Sequence, residues 1–273
     1  MYQTTFLDFF PLWAVFAGSV LLTWIAIEIG LILGKRRRAR MPETETLNLG
    51  SAVGATMGLL AFILAFTFNM GANRLDAKRA LALDQANAIG TALLRTSLLP
   101  EPQRGQAERL MYEYLDQMLS VTQMKEEYGG LSIKVNFAEL VLVEVKKVKQ
   151  IESELWQVAA AAANTSPTPG TALFASAINE AIDLLQTRIT TGFQQRMPPI
   201  FWVILFALAV MAIGLAGYDS GVSGSQRSLA QWVVAIAFAA IIFLVVALDR
   251  PQSSVIADLP LRELRAELEA DGA

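Results

Sequence analysis

Apolar positions along the chain follow two distinct patterns. Four runs are apolar around the whole helical circumference: residues 12–34, 49–71, 200–217 and 230–248. Each is of the order needed to cross a hydrocarbon core about 30 Å thick as a helix. Between the second and third runs the apolar residues thin out and recur at steps of three and four, the spacing of one helical face.

The second run does not end where a bilayer would. Leu49 to Gly71 is uncharged, and NRLDAKRALALDQANAIGTALLRTSLL follows with no proline before Pro100 and a single glycine, Gly90. Leu75, Ala82, Ala86, Ile89 and Leu93 continue one face, which predicts a single helix from Gly50 to Leu98. At 1.5 Å per residue it is roughly 70 Å long. It links the spans of residues 1–71 to a helical soluble domain over 72–197.

That domain reads as helical throughout. Pro100-Glu101-Pro102 breaks the chain before a helix from Gln103 to Lys125, with Leu110, Tyr114 and Met118 on its apolar side, and Gly129-Gly130 ends it. A helix over Phe137–Ala163 carries Leu140, Val143, Val145, Val148, Ile151, Leu155 and Trp156 as core positions. Residues Asn164–Gly170 form a turn-rich linker, and Thr171–Arg196 is a last helix with Leu173, Ile178, Ile182, Leu185 and Ile189. Strand-like alternation appears only over Leu131–Phe137. Pro198-Pro199 opens the second pair of spans (198–250), whose connecting loop holds Asp219, Gly221, Gly224 and Arg227; residues 251–273 read as a charged tail. The expected fold is all-α: a polytopic membrane protein with four transmembrane helices and a helical soluble domain inserted between the second and third.

Composition agrees with that reading: 54% of 273 residues are hydrophobic, 17% are charged, and the mean hydropathy is +0.43. The net charge of −3 gives no reason to expect a nucleic-acid partner. The chain holds neither cysteine nor histidine, which removes disulfides, thiolate chemistry, Cys/His zinc sites and histidine acid–base catalysis. No metal-ligand spacing, activated nucleophile or phosphate loop is visible, so no cofactor and no enzyme activity are expected.

The start of the chain lacks the basic residues of a cleavable signal peptide, and its apolar stretch is too long for one. Lys35-Arg36-Arg37-Arg38-Ala39-Arg40 opens the loop 35–48 directly after the first span and places that loop on the cytoplasmic side of the cell membrane. Both termini and the domain then face outward. Arg74, Lys78, Arg79 and Arg196 flank spans on the opposite side and argue the other way, although long domains weigh little in this rule.

Several segments resemble the bacterial bestrophin-like domain family of membrane proteins. They are GLLAFILAFTFNMGANRLDAKR (Gly58–Arg79), DQANAIGTALLRTSLLPEP (Asp84–Pro102), LWQVAAAAA (Leu155–Ala163), ALFASAINEAIDLLQTRI (Ala172–Ile189) and ALDRPQ (Ala247–Gln252). The resemblance implies a distant likeness to bestrophins, pentameric anion channels built as two spans, a helical domain and two spans. Their domain is cytosolic, opposite to the orientation argued from the basic loop. Their acidic calcium clasp has no counterpart in DRPQSSVIADLPLRELRAELEADG, so calcium gating is not implied here. Their apolar pore neck lies on the second span, where Phe62, Ile63 and Phe66 are the matching candidates.

Four groups of residues carry functional readings beside plainer ones. Gly50, Gly54 and Gly58, extended by Ala61 and Ala65, form a small-residue stripe suited to a close helix seam within or between subunits; glycine is also simply common in spans. Thr56, Thr67 and Asn69 are the polar groups of the second span. With Ile63 and Phe66 they are candidate pore-lining positions, whereas threonine also satisfies itself on the carbonyl one turn back. Glu28 is an intramembrane carboxylate, two turns from Lys35 and so near enough to the interface for a basic partner or water. Arg74 and Lys78, with Arg79, form a cationic ring around an oligomer axis in one reading and snorkel to lipid head groups in the other. The third and fourth spans lack polar groups at their centres and are expected to face lipid.

The leading expectation is a homo-oligomeric channel for inorganic anions in contact with the lipid bilayer. The alternative is a membrane-anchored helical sensor or scaffold whose soluble domain binds partners.

Overall fold

The computed structural model describes residues 7, 10–42, 49–128, 137–193, 197–224, 229–250 and 259–270. Among them are eight helices and no strand: α1 (Leu12–Arg38), α2 (Gly50–Thr96), α3 (Gln103–Tyr128), α4 (Phe137–Thr165), α5 (Pro169–Phe193), α6 (Pro199–Ser223), α7 (Leu229–Asp249) and α8 (Leu259–Ala270). Four are long and apolar enough to cross a membrane: α1, α2, α6 and α7. The chain divides into two compact units. One joins Thr5–Asn73 to Met197–Arg250; the other is drawn mainly from Arg74–Arg196 and Pro251–Ala273. Asn73 and Arg74 are neighbours inside α2, which therefore contributes a stretch to each unit.

The spanning unit is organised by α1 and α6. The buried face of α1 is Val15, Ser19, Thr23, Ala26, Ile27, Gly30, Leu31 and Gly34; that of α6 is Trp202, Leu205, Ala209, Ala212, Ile213, Gly217, Gly221 and Val222. Small residues supply half or more of each face, and the helices run parallel with backbones in contact. A methyl group built on Gly34 would meet the Tyr218 carbonyl and lie 2.8 Å from the Gly221 Cα; one on Gly217 would lie 3.1 Å from the Ile27 Cα. No side chain larger than hydrogen fits there. The polar members of the α1 face satisfy themselves on their own helix: Ser19 Oγ donates to the Val15 carbonyl at 2.8 Å and Thr23 Oγ1 to the Ser19 carbonyl at 2.9 Å.

α7 lies against α1, where Phe16 and Phe243 meet edge to face with centroids 6.2 Å apart. It buries Ala235, Phe238, Ala239, Ile242, Val245 and Val246. The start of α2 reaches the same core through Leu60 and Leu64. Asp249 and Arg250 of the ALDRPQ segment have a structural task here. Asp249 Oδ1 accepts the Met197 backbone N–H at 3.1 Å, the last amide before Pro198 and Pro199, which have none to give. Arg250 donates to the carbonyls of Leu7, at 2.8 Å, and Phe10.

In the second unit the residues Ala86, Ile89 and Ala92 of α2 pack with Met111, Tyr114 and Leu115 of α3, Val148 and Leu155 of α4, and Phe174 and Ile178 of α5. α8 closes this core with Leu261, which is fully buried, and with Leu264 beside Gly90. Arg265 on α8 binds Asp116 at 2.8 Å and lies over the Tyr112 ring at 5.7 Å.

Several expectations change. α1 continues past Gly34 through its basic residues to Arg38, and Arg38 donates to the Val222 carbonyl. Asp219 and Gly221 belong to α6 and not to a loop, because Gly221 is needed in the seam; Arg227 lies outside the described residues. Asn164 and Thr165 end α4, while Pro169 and Gly170 begin α5. The 251–273 tail contains α8, whose leucines at steps of three and four were masked by its charges. The third span is not simply lipid-facing, since α6 supplies half of the central seam. The strand-like stretch before Phe137 and the Gly129-Gly130 stop lie outside the described residues.

Gly34→Ala is expected to force α1 and α6 apart and destabilise the detergent-purified protein by about 1–3 kcal/mol, as overpacking does. Gly18→Ala, where an added methyl meets nothing within 4 Å, is the control and should not lower the melting temperature. Equal melting of the two variants would show that the seam is not a close contact.

Candidate functional site

On α2 the structure sorts the second-span candidates onto two sides. Leu60, Leu64, Thr67 and Gly71 are buried, at steps of four and three, against the unit's own core. Thr56 and Ile63 share that side and are half-buried; Thr67 is 3% exposed. Thr67 Oγ1 donates to the Ile63 carbonyl, and Thr56 Oγ1 to the Ala52 carbonyl at 3.0 Å, so neither hydroxyl requires another partner. The opposite side presents Gly50, Gly54, Gly58, Phe62, Phe66 and Asn69, all exposed. A methyl built on Gly54 or Gly58 would meet nothing within 4 Å, so within one chain these glycines make no seam.

The seven proposed pore-lining positions therefore do not share one face. Thr56, Ile63 and Thr67 turn toward the chain's own helices; Phe66 and Asn69 turn away from them. Arg74 and Lys78 follow on α2, one turn apart and both half-buried, with Arg79 ion-paired to Asp76 at 3.6 Å. Glu28 is half-buried on α1, between buried Ile27 and exposed Ile29.

Burial distinguishes α2 from the other spans. Its most apolar window is 17% buried, against 39% for α1 and 33% for each of α6 and α7. Any apolar side chain is at home in lipid, so exposure of Phe62 or Leu59 alone decides nothing. Open glycines and an outward Asn69 are different. They give a neighbouring helix close backbone approach and a polar partner, the two features that drive association where hydrophobicity cannot.

The second unit holds a polar cluster that the sequence reading missed. Four helices each contribute one residue. Arg188 of α5 donates to Gln85 Oε1 of α2; Gln85 Nε2 donates to the Tyr114 hydroxyl of α3 at 3.4 Å; and Tyr114 donates to Glu152 Oε1 of α4 at 3.2 Å. Gln85, Tyr114 and Glu152 are buried, at 0%, 1% and 8% exposure. Burial raises the Tyr114 pKa far above its usual range, so the phenol remains a donor. Burial also raises Glu152 to about 7, against the opposing pull of the Tyr114 hydrogen bond and of Lys149. The readable sign was a polar residue interrupting an apolar stripe: Gln85 among Ala82, Ala86 and Ile89, and Glu152 among Val148, Leu155 and Ala159.

Between the ordinary carboxylate value and pH 7 the folded protein keeps a proton on Glu152 that the unfolded chain releases. Stability from this group is thus complete below the ordinary carboxylate value and is lost progressively until the pH has risen through 7. The melting temperature of the wild type is expected to fall between pH 5 and pH 8. Glu152→Gln should flatten that fall and gain about 1–3 kcal/mol at pH 8, at 1.36 kcal/mol per pKa unit. An unchanged pH profile in the variant would show that Glu152 ionises normally.

A model of the bestrophin-like domain matches residues 21–256, from the middle of α1 to just beyond α7. No curated protein matches the chain.

Proposed function

This chain belongs to the bestrophin-like domain family, and from that premise we propose that it is an oligomeric membrane channel for inorganic anions. The observation that carries the reading is the uncovered side of α2, where Gly54, Gly58, Phe62, Phe66 and Asn69 face away from the rest of the chain. Copies meet along that side, and the path for ions follows it. Phe62 and Phe66 form the apolar constriction, and Asn69 supplies a polar group one turn further on. Arg74 and Lys78 come next along the same helix, in register with Thr67 and Gly71 and not with Phe66 and Asn69, and their charge raises the anion concentration beside that path. The role is transport and not catalysis, and the second unit is the helical soluble domain.

Charge reversal separates this reading from that of a sensor or scaffold. In reconstituted bilayers Arg74→Glu with Lys78→Glu is expected to lower anion relative to cation permeability severalfold. The change should shrink at high salt, because the Debye length contracts from about 10 Å at 0.1 M to about 3 Å at 1 M. A scaffold passes no current in either form. Current with unaltered selectivity would place the ion path away from α2.

A further inference from the structure

The basic end of α1 is divided between two tasks by the helical period. Arg38 continues the buried stripe of Ile27, Leu31 and Gly34, and its guanidinium donates to the Val222 carbonyl at the end of α6, 3.2 Å away. Arg36 and Arg40 continue a different stripe. Below them on the same face are Ile25, Ile29, Ile32 and Leu33, between 41% and 54% exposed. The turn after the helix keeps Arg40 in register, since its backbone N–H bonds the Arg37 carbonyl at 3.0 Å. Lys35 and Arg37 flank the stripe, and Lys35 to Arg40 are exposed throughout. Glu43 and Glu45 are the only acidic residues in the segment 35–48, against five basic ones.

A column of exposed branched apolar side chains ending in two arginines one turn apart matches one class of molecule: a lipid with hydrocarbon chains and an anionic phosphate at the top. The apolar stripe lies where a bilayer holds acyl chains, and the arginines lie where it holds head groups. Guanidinium groups bind phosphate oxygens in pairs, which a zwitterionic head group with its own ammonium satisfies less well. We propose that this face of α1 is a binding site for an anionic phospholipid, its chains along Ile25, Ile29 and Leu33 and its phosphate held by Arg36 and Arg40. The site needs neither an oligomer nor a conduction path.

The probe is dioleoyl phosphatidylglycerol, compared with dioleoyl phosphatidylcholine, added to the full-length protein in detergent and read by native mass spectrometry. Phosphatidylglycerol is expected to be retained preferentially. Each membrane-surface cation is worth about fivefold in affinity, so Arg36→Gln with Arg40→Gln should weaken retention on the order of 25-fold. Arg38→Gln should leave the lipid preference in place, because that side chain is engaged with α6. The wild type provides an independent arm: its preference should fall as salt rises from 0.1 M to 1 M, and inorganic phosphate at the lipid's concentration should not displace the lipid. Equal retention of the two lipids, a preference lost in Arg38→Gln as fully as in the double variant, or displacement by inorganic phosphate would each overturn the assignment.

Discussion

Two apolar helices surrounded by lipid gain nothing by hiding apolar surface from water, so something else must hold them together. In this protein it is backbone contact between α1 and α6. Gly30 and Gly34 on one helix, and Gly217 and Gly221 on the other, bring the chains to a distance that leaves no room for a methyl group. At that range dispersion acts between backbones along the whole seam, and each contact is small but they add. The remaining parts of the spanning unit depend on this pair. α7 packs mainly against α1, where Phe16 meets Phe243, and Asp249 and Arg250 at its end tie down Met197 and the carbonyls of Leu7 and Phe10.

The second unit is held by different physics. Its helices carry apolar stripes and polar faces, and Ile89, Met111, Leu115, Leu155 and Phe174 form a dry centre. In such a centre a buried carboxyl is costly unless it is paired or protonated. The series Arg188, Gln85, Tyr114 and Glu152 provides a donor at each step, and the raised Glu152 pKa reflects what the donors leave uncompensated. A polar network of this kind fixes which helices meet, since displacing any one of the four helices breaks at least one of its hydrogen bonds.

Periodicity made much of the fold legible. The unbroken pattern from Gly50 to Leu98 predicted one helix, and α2 runs from Gly50 to Thr96. Four long apolar runs gave the four spanning helices. The seam was not legible in the same way, because glycines at Gly30 and Gly34 look like those at Gly54 and Gly58, and only the partner helix distinguishes them. α8 was hidden by its charges, although Leu261, Leu264 and Leu268 hold helical spacing. On α2, helical geometry grouped Thr56, Ile63 and Thr67 on one face, but only tertiary packing decides which face of a span is covered. The Glu152 cluster needed four separate helices to meet, and no single stretch of sequence records that.

We propose that copies of the chain meet along the uncovered side of α2. Because the chain has no cysteine, one introduced thiol reports on one position without background. Phe62 on α2 and Met211 on α6 are both 66% exposed, so they are equally available to any neighbour in the membrane. On mild oxidation in native membranes, Phe62→Cys is expected to give disulfide-linked dimers, whereas Met211→Cys remains monomeric. Cross-linking through Met211→Cys but not Phe62→Cys, or through neither, would contradict the account.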